Sequence, residues 1–344
     1  MYVNKIKTKM KSNISEFNTE IRNAINTINK NPKRPLGKFN PWAWCLEPVR
    51  GCNLTCWHCP ARLLPRNEYK YMTKKTWINT WKIIRQFTPY CRVEMANTGE
   101  PTLHPDILEF ILIATQISPN SQIQITTNGT QLLKNKITYK QLFDAGVNVV
   151  YVDMYGSREK HIELAKNSGY QYFLYYNNKD KPLSPWVFHN NRELQFIALS
   201  EIPDNWPIQK INRGGLGTFL NNIDFNNKRA KEWNIKPVIN APNRRCNQPM
   251  KYVQVTDDGT YLMCCQDVFN DFGIKNNVNE GIDGFLEFWL GKRMQETRKL
   301  LFHKERNKHP ICSKCNICFS RCDMKFWEEE LFEFYWDGKK INKK

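Results

Sequence analysis

From residue 43 onward, short apolar or β-branched stretches alternate with longer segments of helical period. The stretches lie at 43–49, 92–96, 122–127, 148–154, 171–176 and 194–199. Between them, Trp77, Trp81 and Ile84 fall on one helical face, and so do Ile107, Phe110, Ile111 and Ala114. Such alternation predicts βα units and therefore a parallel sheet with helical crossovers. Six units predict an α/β fold with a partial (β/α)6 barrel, whose chemistry sits on the loops at the C-terminal ends of the strands. The connection at 177–191 contains Pro182 and Pro185 and no helical pattern, so the last unit departs from the repeat.

The flanks read differently. Ile14, Phe17, Ile21, Ile25 and Ile28 have helical spacing, with Asn13 and Glu16 placed for a capping box. Pro32, Pro35 and Gly37 then punctuate a linker. After Cys246, residues 252–255, Asp257-Asp258-Gly259 and residues 261–263 predict a β-hairpin. One helix is expected near 283–301 and a last one over 325–336. The expected organisation is a basic helix and linker (1–41), the barrel (42–216), a polar linker (217–245), a cysteine-rich hairpin and helix domain (246–322), and a terminal helix with a basic tail (323–344).

Charge adds little to this picture. The 344 residues carry a formal charge of +18. Residues 1–40 hold +7 of it and residues 337–344 hold +3. Solvated basic ends explain this asymmetry more simply than a nucleic-acid surface does. The longest apolar run, residues 110–114, is far below the ~20 residues that span a bilayer. The N-terminus lacks the apolar core of a secretory signal. A cytoplasmic chain without a membrane segment is expected.

The 12 cysteines change the picture most. In a reducing compartment their spacing suggests metal or redox chemistry before disulfides. Cys52, Cys56 and Cys59 follow the first strand, so they belong on the first βα loop. Three thiolates within eight residues must wrap around something, and thiolates suit zinc or iron–sulfur clusters. A fourth ligand from Cys45 or Cys91 would make a closed structural centre. With three ligands, a four-iron cluster keeps one iron open to a small molecule.

Cys52-x3-Cys56-x2-Cys59, with His58 before the last cysteine, resembles the signature of the radical S-adenosylmethionine (SAM) enzymes. Asn97-Thr98-Gly99-Glu100-Pro101 after the second strand resembles the family's Gly-Glu-Pro motif. Thr126-Thr127-Asn128-Gly129 at the end of the third resembles its ribose-contacting segment. The resemblance covers roughly residues 42–200. It implies a [4Fe-4S] cluster on Cys52, Cys56 and Cys59 whose open iron chelates the methionine end of SAM. It implies ammonium contacts from Thr98, Gly99 and Glu100, ribose contacts from Thr127 and Asn128, and adenine packing on His58. An electron from the cluster would cleave a carbon–sulfur bond of SAM, and the 5′-deoxyadenosyl radical would take hydrogen from substrate. A flavodoxin or ferredoxin would supply the electron. Asp153, ending strand four, points to the barrel mouth and could touch SAM or substrate.

Cys246, the hairpin's Cys264, and Cys312-x2-Cys315 resemble the SPASM and twitch domains that follow some radical SAM barrels. The resemblance implies an auxiliary [4Fe-4S] cluster on those four. A zinc ribbon has a similar layout. Cys318 and Cys322 continue a ferredoxin-like spacing and could join Cys265 around a second auxiliary cluster. The expected function is an oxidoreductase that abstracts hydrogen from a peptide. The alternatives are the same chemistry on a small carbohydrate or nucleotide-linked substrate, a non-catalytic iron–sulfur electron carrier, and a zinc-bearing nucleic-acid binder.

Overall fold

This computed structural model describes residues 41, 43–56, 59–65, 68–174, 195–200, 246 and 248–315. The expected N-terminal helix, the 217–245 linker, the 325–336 helix, His58, Cys318 and Cys322 lie outside the described residues.

The strands are β1 (Ala43–Leu46), β2 (Val49–Arg50), β3 (Lys70–Tyr71), β4 (Arg92–Met95), β5 (Gln122–Thr127), β6 (Val149–Asp153), β7 (Gln171–Leu174), β8 (Phe196–Ser200), β9 (Tyr252–Val255) and β10 (Tyr261–Leu262). The helices are α1 (Lys74–Phe87), α2 (Ile107–Ile117), α3 (Thr130–Leu133), α4 (Tyr139–Ala145), α5 (Arg158–Asn167), α6 (Gln248–Lys251), α7 (Gly281–Leu290) and α8 (Lys292–Phe302). The mixed α/β architecture follows the expected βα units.

Eight strands form one sheet in the order β10-β9-β1-β4-β5-β6-β8-β7. Every neighbouring pair is parallel except β9 with β10. The last two barrel strands lie out of chain order, and their sequences explain why. Phe196–Ser200 is buried at every position, whereas Gln171–Leu174 is exposed at both ends. An apolar run loses water on both faces only in an interior place, while a strand with polar or exposed positions tolerates an edge.

Period-two alternation sorts the two faces. Trp44, Leu46, Val93, Met95, Ile123, Ile125, Val150 and Val152 lie in one cluster with Trp77, Trp81 and Ile84 of α1 and Phe110 and Ile111 of α2. Thr73 starts α1 by accepting the Thr76 N–H at 3.2 Å, the usual device for an orphan donor at a helix start. The other face is mixed. Val149, Tyr151, Phe196 and Ala198 form a small apolar cluster. Arg92, Glu94 and Gln124 bring buried polar groups beside them.

The hairpin forms where expected, and Gly259 supplies its turn at φ +90°. It does not stand apart: β9 zips onto β1, residue for residue, in parallel. The single helix expected near 283–301 is two helices. At Gly291 the chain is extended (φ −67°, ψ 159°), which ends α7 and starts α8. A Cβ there would stand 2.0 Å from the Glu287 carbonyl oxygen. Phe285 of α7 seals the seam to the barrel. Its ring lies 5.4 Å from Trp44, 4.9 Å from Phe87 and 5.9 Å from Tyr261. Among the described residues, no helix is long and apolar enough to cross a membrane.

Phe285→Ala should therefore cost about 3–5 kcal/mol, with Phe285→Leu costing less because it keeps most of the volume. Anaerobic thermal and denaturant unfolding of the two variants measures this. A Phe285→Ala protein as stable as the parent would show that the seam does not join α7 to the barrel.

Candidate active site

The first cysteine group hangs from a pinned root. Gly51 follows β2 at φ +116° and forms a parallel bridge with Gly99. The Glu100 N–H donates to the Gly51 carbonyl at 3.1 Å. At Gly99 a Cβ would lie 1.6 Å from the Val49 carbonyl oxygen, so only glycine lets the two loops meet this closely. Glu47, fully buried, braces the same loop. One of its oxygens accepts from the Thr98 N–H at 3.1 Å and from the Thr98 hydroxyl; the other lies 3.4 Å from Arg50. Burial pushes the Glu47 carboxyl up to about 8, against the pull of Arg50.

Glu100 ties the end of β4 to the end of β5. It accepts from the Thr102 N–H at 3.0 Å, the Thr102 hydroxyl at 2.5 Å, the Thr127 hydroxyl at 2.7 Å and the Asn128 N–H at 2.7 Å. Asn128 passes the tie on to the cysteines. Its amide donates to Cys52 Sγ at 3.4 Å and to Asn53 at 3.0 Å. Its carbonyl accepts the Thr130 N–H at 3.0 Å and hydroxyl at 2.7 Å. Glu100 and Asn128 thereby set the cysteine loop against the sheet.

The three thiols share this corner. The Leu54 N–H also donates to Cys52 Sγ at 3.4 Å, and the Cys59 N–H donates to the Cys56 carbonyl at 3.0 Å. Burial pushes Cys52 up to about 11, opposed by the Leu54 N–H, and the nearby Glu100 and Cys59 push it further. Burial also raises Cys56, while a hydrogen bond from Tyr155 pulls it down and Cys59 and Asp153 push it up. A bound metal cation would favour the thiolate form of these crowded thiols, their protons leaving to water. Neither proposed fourth ligand joins them. Cys91 precedes β4, at the strand end remote from the loop, and sits in the apolar core. Cys45 lies inside β1, where Glu94 and Cys265 are among the charges it feels.

The second group encloses a space. Cys246, Cys264, Cys312 and Cys315 line one cavity together with Met263, Gln266 and Arg306. All four cysteines are buried and none is in a disulfide. Among the described residues, no three His, Cys, Asp or Glu close on a single metal ion; the four sulfurs surround a volume instead, as a cluster requires. Burial and the neighbouring cysteines hold Cys264 and Cys312 well above the ordinary thiol value. His309 fixes the turn that presents Cys312: its Nδ1 accepts the Ile311 and Cys312 N–H groups at 3.2 and 3.1 Å, and its Nε2 meets the Thr297 hydroxyl at 3.0 Å. Cys265 does not line this cavity; it accepts from the Gln266 amide at 3.2 Å.

Residues 46–174 match the family model of the radical SAM superfamily, and residues 246–316 match that of the SPASM iron–sulfur cluster-binding domain. The chain is a radical SAM enzyme with a C-terminal SPASM domain. Its cofactors are SAM and [4Fe-4S] clusters, one of them auxiliary. A curated relative is the S-adenosyl-L-methionine-dependent 2-deoxy-scyllo-inosamine dehydrogenase of Niallia circulans, 24% identical over 265 residues, or 77% of this chain and 88% of that protein. BtrN in complex with AdoMet and 2-DOIA superposes with a TM-score of 0.57 at 21% identity, covering 80% of this chain and 93% of that one. BtrN in an open conformation gives a TM-score of 0.51 at 18% identity, covering 80% and 92%. The two structures share the radical SAM enzyme's fold.

Motif reading missed Glu47, Tyr155, Arg306 and His309, because their roles come from packing across long sequence separations. It also missed the polar groups on the inner sheet face, although Arg92-Val93-Glu94-Met95 and Gln122-Ile123-Gln124-Ile125 carry that signal openly. Alternation of charge and apolar residue inside a buried strand marks a polar face.

Gly99→Ala should separate the Gly51–Gly99 contact and lower both thermal stability and the iron retained after anaerobic reconstitution. Gly156→Ala is the control. It stands at φ +85° with open space where a Cβ would go, so it should cost only the ~1–2 kcal/mol of a left-handed alanine and keep its iron. Equal iron in both variants would remove the steric account of Gly99.

Proposed function

We propose that this radical SAM enzyme dehydrogenates an alcohol carbon of a small polyhydroxylated ring compound, a carbohydrate or amino-bearing cyclitol. The observation that carries the proposal is the make-up of the inner sheet face. On β4 and β5 it bears hydrogen-bonding groups. Glu94 accepts from the Thr126 hydroxyl at 2.7 Å and the Gln124 amide at 3.3 Å, and Arg92 lies 3.7 Å from Glu94. On β6 and β8 it bears Tyr151, Phe196 and Ala198. A sugar-like ring presents the same pair of surfaces, apolar C–H faces and a polar rim. At one end Asp153 is close enough to Cys56 to raise its thiol. At the other, Cys45 is raised by both Glu94 and Cys265, the neighbour of Cys264. The inosamine dehydrogenase relative, which this chain matches over 88% of its length, favours this substrate class over the peptide expected from sequence.

In this reading Cys52, Cys56 and Cys59 hold the SAM-binding cluster, and Cys246, Cys264, Cys312 and Cys315 hold the auxiliary one. When bound, the first cluster and SAM supply the radical that takes hydrogen from substrate, and the auxiliary cluster supplies an acceptor for the electron that follows; flavodoxin or ferredoxin provides the first reducing electron. The protein's part is placement. Thr98, Gly99 and Glu100 offer backbone carbonyls to the SAM ammonium, Thr127 and Asn128 hold the strand end that faces the ribose, and His58 adjoins the adenine. Thr126 and Asp153, half-buried at the strand ends, touch substrate, and buried Glu94, Arg92 and Gln124 fix them from below.

The test is anaerobic turnover with SAM and reductant against panels of cyclitols, aminocyclitols, sugars and peptides. The expected result is 5′-deoxyadenosine with a ring product lighter by two hydrogens. Ala at Cys52, Cys56 or Cys59 should abolish SAM cleavage. Asp153→Asn should raise KM about 10- to 100-fold, the loss of a charge-assisted hydrogen bond, while SAM cleavage without substrate persists. Modification of a peptide with no turnover of any ring compound would overturn the substrate class.

A further inference from the structure

Among the described residues that line the auxiliary cavity, one is a cation, and it is buried. Arg306 stands on a 3-10 turn (Arg306–Lys308) just after α8 and six residues before Cys312. It is 1% exposed and lines the cavity with all four cysteines. One guanidinium nitrogen donates to the Cys315 carbonyl at 3.4 Å, and the side chain hydrogen-bonds Cys246. Arg298, also buried, is used differently. It donates to the carbonyls of Pro249 and Trp289 and lies 4.3 Å over the Trp289 ring, so it braces helices and does not face the cavity.

A four-iron cluster on four thiolates is a dianion when oxidised and a trianion when reduced. Burying that charge is costly, and a fixed cation against the sulfurs favours the more negative state. We propose that Arg306 is the charge-compensating residue of the auxiliary cluster, raising its reduction potential so that it accepts the electron released by the substrate. The electron count is closed. Hydrogen-atom removal leaves a substrate radical at the alcohol carbon; that radical loses its hydroxyl proton to water and one electron to the oxidised cluster, and a carbonyl forms. Arg306 is a positioning and tuning residue: it acts on the acceptor and touches neither SAM nor substrate. Cys265, outside the cavity and paired with the Gln266 amide, takes no part.

This inference rests on the four-cysteine cluster assignment, so the parent protein is measured first. It should contain about eight irons per chain, as two four-iron clusters require, and the quadruple Cys246, Cys264, Cys312, Cys315→Ala variant about half. Failure there is failure of the assignment and not of Arg306's role. Redox titrations followed by electron paramagnetic resonance are then run on the reconstituted parent, Arg306→Gln and Arg306→Lys. Arg306→Gln should make the auxiliary cluster at least tenfold harder to reduce, about 59 mV for one electron. Arg306→Lys should shift it less, and the SAM-binding cluster should titrate as in the parent in both. An auxiliary potential in Arg306→Gln equal to the parent's overturns the proposal. Should Arg306→Gln lose the cluster, Arg306→Lys decides. Retention of the cluster within a few-fold of the parent's reduction equilibrium supports the charge, and any other outcome makes the side chain a structural strut and overturns it.

Discussion

Strand β1 is hydrogen-bonded along both edges, to β4 on one side and β9 on the other. Much of the chemistry depends on that double pairing. A parallel ladder fixes register, because a one-residue slip would turn every side chain to the wrong face. Ala43 stands level with both Arg92 and Tyr252, and Cys45 with both Glu94 and Gln254. The chain leaving β1 runs through β2 to the first cysteine group, and the hairpin that begins with β9 delivers Cys264. The strand that leads to the first group and the hairpin that carries Cys264 thus belong to one sheet, and Trp44 and Phe285 fill the seam behind them. Motion of one group relative to the other would have to break the ladder or open that seam.

A second layer of constraint sits at the strand ends. Glu47, Glu100 and Asn128 each spend their hydrogen-bonding capacity on neighbouring loops. Glu100 alone collects four donors. Buried carboxylates are costly unless so satisfied, and the bonds in turn make the loops rigid. The glycines at 51 and 99 add the close approach that no side chain would permit. A binding corner built this way is preorganised, which is what a reaction that must confine a radical needs.

The barrel, the hairpin and both cysteine groups were legible in the sequence because each has a local signature: alternating βα periods, a Gly259 turn, fixed cysteine spacings. What was not legible arises between distant segments. The place of β8 between β6 and β7 follows from the burial of Phe196–Ser200 against the exposed ends of Gln171–Leu174, a comparison that no single window contains. The break at Gly291 was hidden by continuous helical period on both sides. The motif marks Asn128, but the reach of its amide to Cys52, 76 residues away, is visible only in the fold. Arg306 was one of many basic residues in a basic chain, and only its burial among cysteines sets it apart.

The two cysteine groups meet unlike surroundings, and that contrast gives the fold a direction for electrons. Around Cys52 and Cys56 the donors are neutral: the Leu54 N–H, the Asn128 amide and the Tyr155 hydroxyl. Carboxylates stand close by, with Glu100 raising Cys52 and Asp153 raising Cys56. Around the second group a neutral donor and a carboxylate also occur, the Gln266 N–H on Cys264 and Asp267 near Cys312, but a buried guanidinium is added beside Cys246 and Cys315. Nearby negative charge raises the energy of a reduced centre, which suits a centre that must give its electron away. A buried cation lowers the energy of an added electron, which suits a centre that must receive one. In the proposed reaction a substrate would lose its hydrogen toward the first group and its electron toward the second, and the added cation among two otherwise similar sets of thiolates would set that direction.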